Sequence, residues 1–206
     1  METSTSARLK VQDLRIHEVG PVSFDVVAGG CVGISGPSGA GKSLLLRAIA
    51  DMEPHEGFVF LDGQAQHETA APDWRRQVAL LPAESVWWFD SVGEHFPAPD
   101  TVDFGQMGFE RQILTWPVSR LSSGERQRLA LLRLMQNRPR VLLLDEPTAN
   151  LDEENAARVE QRMQAYRQAT GAVIVWVGHQ KVQLLRMADR ILAIDHGRLI
   201  DRGDAS

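Results

Sequence analysis

The 206-residue sequence has one cysteine (Cys31), one tyrosine (Tyr166) and no apolar run near the ~18 residues that a membrane-spanning helix needs. A single cysteine excludes an internal disulfide framework and a multi-cysteine zinc site, which fits a reducing, cytoplasmic compartment. The opening METSTSARLK lacks the apolar core of a secretory signal, so any membrane role is expected to run through another chain. Positive charge is also scarce. Twenty-two Lys+Arg against 27 Asp+Glu leave a net charge of -5, and no nucleic-acid partner is expected. With 17 Gly and 10 Pro the chain is not of low complexity, and 43% hydrophobic residues suit a folded domain.

The apolar pattern reads as strand at both ends and mixed between. Residues 22–27 (VSFDVV) alternate apolar and polar as a half-buried strand does, and 32–35 (VGIS) is a short apolar run that stops at a glycine-rich loop. A helix is expected over 42–50, strands over 57–61 and 77–81, then helix 125–135, strand 141–144, helix 153–169, strand 172–177, helix 182–188 and strand 190–194. Helices alternating with wholly apolar strands predict an α/β fold whose parallel sheet is covered on both faces. Between 84 and 120 strands vanish and aromatics scatter among polar residues, which reads as a small helical insertion.

Gly36-Pro37-Ser38-Gly39-Ala40-Gly41-Lys42-Ser43 matches G-x-x-x-x-G-K-[ST] between an apolar strand and a helix. Glycines let successive backbone N–H groups turn toward phosphate oxygens, and the helix N-terminus adds partial positive charge. Lys42 is placed to reach the β/γ-phosphates, and Ser43 to supply a hydroxyl to Mg²⁺. Val141 to Glu146 (VLLLDE) ends an apolar strand in two carboxylates. Ligands of open α/β sheets lie beyond the carboxyl ends of the strands, so both motifs are expected to face one crevice. Asp145 is then the Mg²⁺ residue and Glu146 the group that polarises the attacking water. His179, just past the 172–177 strand, falls at the same edge and is expected to sense phosphate and water. The other five histidines show no metal-ligand spacing. Ser122, Ser123, Gly124 and Glu125 open a helix with capping-box spacing, and they also form a second potential phosphate cradle, one that another copy of the protein would use.

The ordered set GPSGAGKS, LSSGERQR, VLLLDEPTANLD and VGH resembles the nucleotide-binding subunit of ATP-binding cassette (ABC) transporters from about Leu9 to Gly203. The resemblance implies a P-loop NTPase (RecA-like) core, an N-terminal antiparallel β subdomain and a short α-helical insertion carrying the signature motif. Residues 1–206 would form one ATP-binding domain with a helical subdomain over about 84–138. It also implies ATP and Mg²⁺ as ligands, Glu146 and His179 as catalytic residues, and Leu44 and Asp152 as further nucleotide-site residues. Members pair head to tail, each ATP lying between the phosphate loop of one copy and the signature residues of the other. They drive a membrane permease from the inner face of the cell membrane. The chain's brevity, with LLLDEPTANLDEEN and VIVWVGHQ, resembles the ATPase of small two-component exporters associated with iron efflux.

The sequence departs from the family pattern at Ala83, where a glutamine is usual, with Glu84 beside it as a substitute; at Ser123, in place of a glycine; at Glu125, in place of a glutamine, a familiar variant; and at Leu44, in place of a hydroxyl; and no aromatic precedes Val22 to stack on adenine, leaving His17 or Ile16 for that role. Trp87, Trp88 and Phe89 sit where the family's groove receives the permease, or else pack inside the insertion. Two other classes keep the same motifs: a non-transport soluble ABC ATPase, and a weakly hydrolysing module that dimerises on nucleotide.

Overall fold

The computed structural model describes residues 7–204; the METSTS opening lies outside them. β1 (Ala7–Ile16) and β2 (Val19–Val27) form a hairpin turned at His17, which takes a left-handed φ of 50°. β3 (Cys31–Ser35) runs into the loop 36–41 and α1 (Lys42–Ile49). β4 (Glu56–Leu61) turns through Asp62-Gly63 into the short β5 (Gln64–Ala65), followed by α2 (Ala71–Gln77) and β6 (Val78–Leu81). Beyond residue 122 come α3 (Ser123–Met135), β7 (Val141–Asp145), α4 (Glu153–Thr170), β8 (Val173–Val177), α5 (Lys181–Met187), β9 (Arg190–Asp195) and β10 (Arg198–Asp204).

The strands form two sheets. One is antiparallel in the order β2-β1-β4-β5; the other runs β10-β9-β3-β8-β7-β6, parallel except for β10. Burial on both faces explains the unbroken apolar runs. On β7, Val141 and Leu143 join the core shared with the antiparallel sheet and α1, while Leu142 and Leu144 join the core under α3, α4 and α5. β8 divides the same way, Val173, Val175 and Val177 to one side and Ile174 and Trp176 to the other. Side chains alternate across a strand, so each residue finds an apolar partner.

Register sets the functional edge. Ile34 of β3 pairs with Val177 of β8, and Val177 pairs with Asp145 of β7, so one row across the sheet precedes the glycine-rich loop, His179 and Glu146 alike.

The insertion is helical in a tighter form than its reading suggested. Short 3₁₀ turns at Gly93–His95, Pro99–Thr101, Gly105–Met107, Arg111–Thr115 and Val118–Arg120 carry the chain to α3, the α-helix that bears the signature residues. Pro97, Pro99 and Pro117 remove donors and block the preceding turn, while Gly93, Gly105 and Gly108 weaken helix propagation. The segment instead buries Val92, Phe96, Phe104, Met107, Phe109 and Ile113 at irregular spacing. Further elements escaped the apolar pattern: β1, the two-residue β5, α2, less than two full turns long, and β10, a mostly polar edge strand.

Candidate active site

The loop between β3 and α1 has little conformational choice. Gly36 takes φ 150°, and a Cβ there would lie 2.4 Å from the Ile194 carbonyl oxygen; Gly41 takes φ 91°, and a Cβ would meet the Val19 side chain at 2.2 Å. Glycine is required at both by φ and by space. Gly41 is also the N-cap of α1. It brings no side-chain cap, and the first turn holds no acidic residue, so its N–H groups are left for an external acceptor. The Lys42 amine folds back over the loop, donating to the carbonyl oxygens of Gly36 and Pro37 at 2.9 Å each, and the residue is buried.

Asp145 is buried at the end of β7. Burial raises its pKa from the usual aspartate value, opposed by a hydrogen bond from Ser43, while Glu146 adds to the rise and the Lys42 and Arg47 charges oppose it. The Ser43 hydroxyl and the Asp145 carboxylate therefore meet beside the loop. They are two hard oxygen donors of the kind a small divalent cation takes. The net rise has a sign for stability: the folded state penalises the charged form, so Asp145 works against folding once the pH is above its unfolded pKa. Asp145→Asn, which removes the charge and keeps the shape, is expected to raise Tm, with ~2–4 °C for each kcal/mol relieved in a domain of this size. The same change is expected to abolish Mg²⁺-dependent turnover, and calorimetry with an ATPase assay checks both.

Glu146 adopts φ 49°, uncommon for a residue without a short polar side chain and costly by roughly 1 kcal/mol. Its amide donates to the Val177 carbonyl at 3.1 Å, and its Oε1 lies 2.7 Å from His179 Nε2. Because a carboxylate only accepts, this contact assigns the proton to Nε2. The ring donates there from Nε2, and Glu146 keeps its second oxygen for another partner.

Ser122, Ser123, Gly124, Glu125 and Asp152 gather in a second place. The capping box forms, with Glu125 N donating to Ser122 Oγ at 3.2 Å and Ser122 N donating to Glu125 Oε2 at 2.8 Å. A Cβ on Gly124 would lie 2.9 Å from the Leu151 side chain and 3.1 Å from the Asn150 carbonyl, so the start of α3 abuts the segment leading to Asp152. Asp152 caps α4 by accepting from Asn155, which lowers its pKa. Among the described residues, no hydrogen bond joins this group to the glycine-rich loop.

A cavity of about 500 Å³ beside the loop is lined by Pro37, Ser38, Gly39, Ala40, Gly41 and Leu44, together with His17, Glu18, Val19, Asp195, His196 and Gly197. His17 therefore stands where a base contact was sought, whereas Ile16 is buried in the core between the sheets and does not. His196 escaped the sequence reading. Its signal was the Asp195-His196-Gly197 turn, whose strand β9 lies next to β3. Ala83 and Glu84 open onto a separate groove of about 530 Å³ with Ser123, Arg126, Gln127 and Asn150, and no loop residue lines it. Burial pushes the Cys31 thiol up to about 12, as expected of a core residue rather than a reactive one.

Residues 19–149 match the ABC transporter family. The chain belongs to that family. Relatives of this ABC transporter domain include the molybdate/tungstate import ATP-binding protein WtpC of Pyrococcus abyssi, 31% identical over 94% of this chain and 60% of that protein. The probable iron export ATP-binding protein FetA of Escherichia coli is 32% identical over 84% of the chain and 82% of its own length. Among solved structures, a bacterial Atm1-family ABC exporter with ATP bound superposes with a TM-score of 0.85 at 26% identity, over 98% of this chain and 40% of that one. The cbiO1 protein of Clostridium perfringens, part of the ABC transporter complex cbiONQ, gives 0.83 at 21% over 97% and 89%, and speaks for the fold alone. Membership in the family makes this a nucleotide-binding domain.

Proposed function

We propose that residues 7–204 act as one ATP-binding domain that hydrolyses ATP with Mg²⁺ as the motor subunit of a transporter. The single observation that carries this is the Glu146–His179 contact of 2.7 Å beside a loop whose lysine covers its own carbonyl oxygens. Triphosphate oxygens would take the open N–H groups of the loop and of α1, and draw Lys42 Nζ from the Gly36 and Pro37 carbonyls. Ser43 and Asp145 would hold Mg²⁺, which when bound supplies charge to stabilise the phosphate oxygens. The free Glu146 oxygen accepts from the attacking water, and His179 holds the Glu146 head in place.

A second copy, docked head to tail, would present Ser122, Ser123, Gly124, Glu125 and Asp152 to this crevice. Their separation from the loop within one copy supports that arrangement. The rate of ATP hydrolysis by the purified protein, with and without Mg²⁺ and with its permease, tests the reading; no turnover under any of these conditions overturns it.

No helix among the described residues is long and apolar enough to cross a membrane; the likeness to ATP-binding proteins of transporters supports work at the inner face of the cell membrane through a separate permease. The dock would be Trp88 and Phe89. These are 61% and 46% exposed, whereas Trp87 leans on the core under α3. His95 holds them out: its Nε2 accepts from the amides of Trp88 and Phe89 at 3.1 Å each, while Nδ1 meets the Ser91 carbonyl at 3.0 Å. Burial, with the Arg133 charge adding, lowers the His95 pKa against opposing hydrogen bonds and the Glu94 charge.

The double change Trp88→Ala with Phe89→Ala is expected to abolish co-purification with the permease and leave intrinsic turnover within about twofold. Trp87→Ala is expected to lower Tm by roughly 4 °C with partner binding retained. For cargo, the even coverage of the iron export relative supports metal efflux, tested by the iron content of cells lacking the gene.

A further inference from the structure

The buried ionisable residues Lys42 and Asp145 belong to the loop crevice, but Glu160 does not. It lies on α4 with its side chain 10% exposed, in a place where an unpaired carboxylate would cost several kcal/mol. It is fully partnered. Arg186 donates from Nε to Oε2 at 3.1 Å and from Nη2 to Oε1 at 2.9 Å, and Gln183 Nε2 donates to Oε1 at 2.8 Å. The Gln183 amide continues the chain to Thr148, whose hydroxyl lies 2.8 Å from Nε2 and 3.0 Å from Oε1. Thr148 and Gln183 are themselves buried.

The ends of this chain are telling. Thr148 is two residues past Glu146, and Gln183 is four past His179. α5 is only seven residues long and begins without a side-chain cap, so little inside it fixes the loop that carries His179. Its buried side chains are two apolar ones, Leu184 and Met187, and Gln183. Apolar contacts resist separation but tolerate sliding. A directional chain of hydrogen bonds, buried from Thr148 through Gln183 to Glu160, tolerates neither.

We propose that Thr148, Gln183, Glu160 and Arg186 form a positioning network that locks α5 against the 146–149 turn and so holds His179 on Glu146. This rests on the reading of Glu146 as the group that polarises water. None of the four touches the reacting atoms; they act through the 2.7 Å contact.

Thr148→Val keeps the shape and removes the hydroxyl, and Thr148→Ser keeps the hydroxyl. Gln183→Met, close in length, serves where Thr148→Val does not fold. Thr148→Val and Gln183→Met are expected to lower kcat about fivefold, within the range by which residues remote from a site change coupling, with KM within about twofold. Thr148→Ser is expected to restore kcat. Independently of turnover, the ¹⁵N signal of His179 Nε2 in the nucleotide-free protein should move in both weakened variants toward its position in Glu146→Ala, and stay in Thr148→Ser. An unmoved His179 signal overturns the network, as does an unchanged kcat in variants of an active wild type. An inactive wild type whose His179 signal still moves in Thr148→Val upholds the network and defeats the ATPase reading instead.

Discussion

Glu146→Gln is expected to lower the rate of ATP hydrolysis by about 10²–10⁴-fold, the usual contribution of a positioned acid or base. The substitution is nearly isosteric, and an amide oxygen still accepts from His179 Nε2, so the turn at φ 49° and the 2.7 Å contact are expected to persist. What disappears is the negative charge on the second oxygen, the one left free for water. On the proposed reading the loop, α1 and Lys42 set the affinity for ATP, which should stay within about threefold. A protein that binds ATP and does not consume it is expected to accumulate as an ATP-bound pair, visible as a doubled mass on size exclusion with light scattering. Turnover within about threefold of wild type would remove Glu146 from its role, and a monomer at high ATP and protein concentration would remove the shared site.

Lys42→Ala is expected to weaken ATP binding by about 100-fold or more, since charge-assisted hydrogen bonds contribute ~1.5–3 kcal/mol each and the amine can offer two to the triphosphate. The structure adds a second effect. The amine donates at 2.9 Å to Gly36 and Pro37 and closes the loop on itself, so its loss leaves two carbonyl oxygens without their donor. A fall in Tm of ~2–4 °C is expected from that alone. Lys42→Arg is not expected to rescue binding, because a planar guanidinium cannot occupy the small space between two carbonyls that an ammonium fills. Equilibrium titration with a fluorescent ATP analogue without Mg²⁺ reads binding apart from hydrolysis, and an affinity within about threefold of wild type would refute the assignment of the loop.

These two effects concern residues that were legible before any coordinates. Lys42, Glu146 and His179 follow the strands β3, β7 and β8, Asp145 ends β7, and a strand that stops at a loop is a local event written in consecutive residues. The capping box at Ser122 and Glu125 was legible for the same reason: its two hydrogen bonds span three residues. The insertion was misjudged in its kind of helix because its apolar residues are buried at irregular intervals, and Pro97, Pro99 and Pro117 cut it into turns shorter than a period can reveal. Ile16 and His17 are adjacent, yet one is in the core and the other lines the loop cavity; only the hairpin's register decides which.

The aromatic trio shows the same division. Sequence position identified Trp87, Trp88 and Phe89 as a cluster, but the exposure of Trp88 and Phe89 goes with His95, eight residues beyond Trp87, turning back to accept their two amides, while Trp87 is half-buried.

By itself, the sequence determined most of the strands of the parallel sheet, the glycine-rich loop, the paired carboxylates and the histidine, since each is encoded by neighbours within a few residues and by apolar runs whose period the backbone dictates. Tertiary structure alone decided that Ile34, Val177 and Asp145 stand in one row, that His179 rests on Glu146 across 33 residues, and that residues 148, 160, 183 and 186 share a single chain of hydrogen bonds. Those are relations between elements, fixed by strand pairing and by the requirement that buried polar groups find partners, and no local pattern carries them.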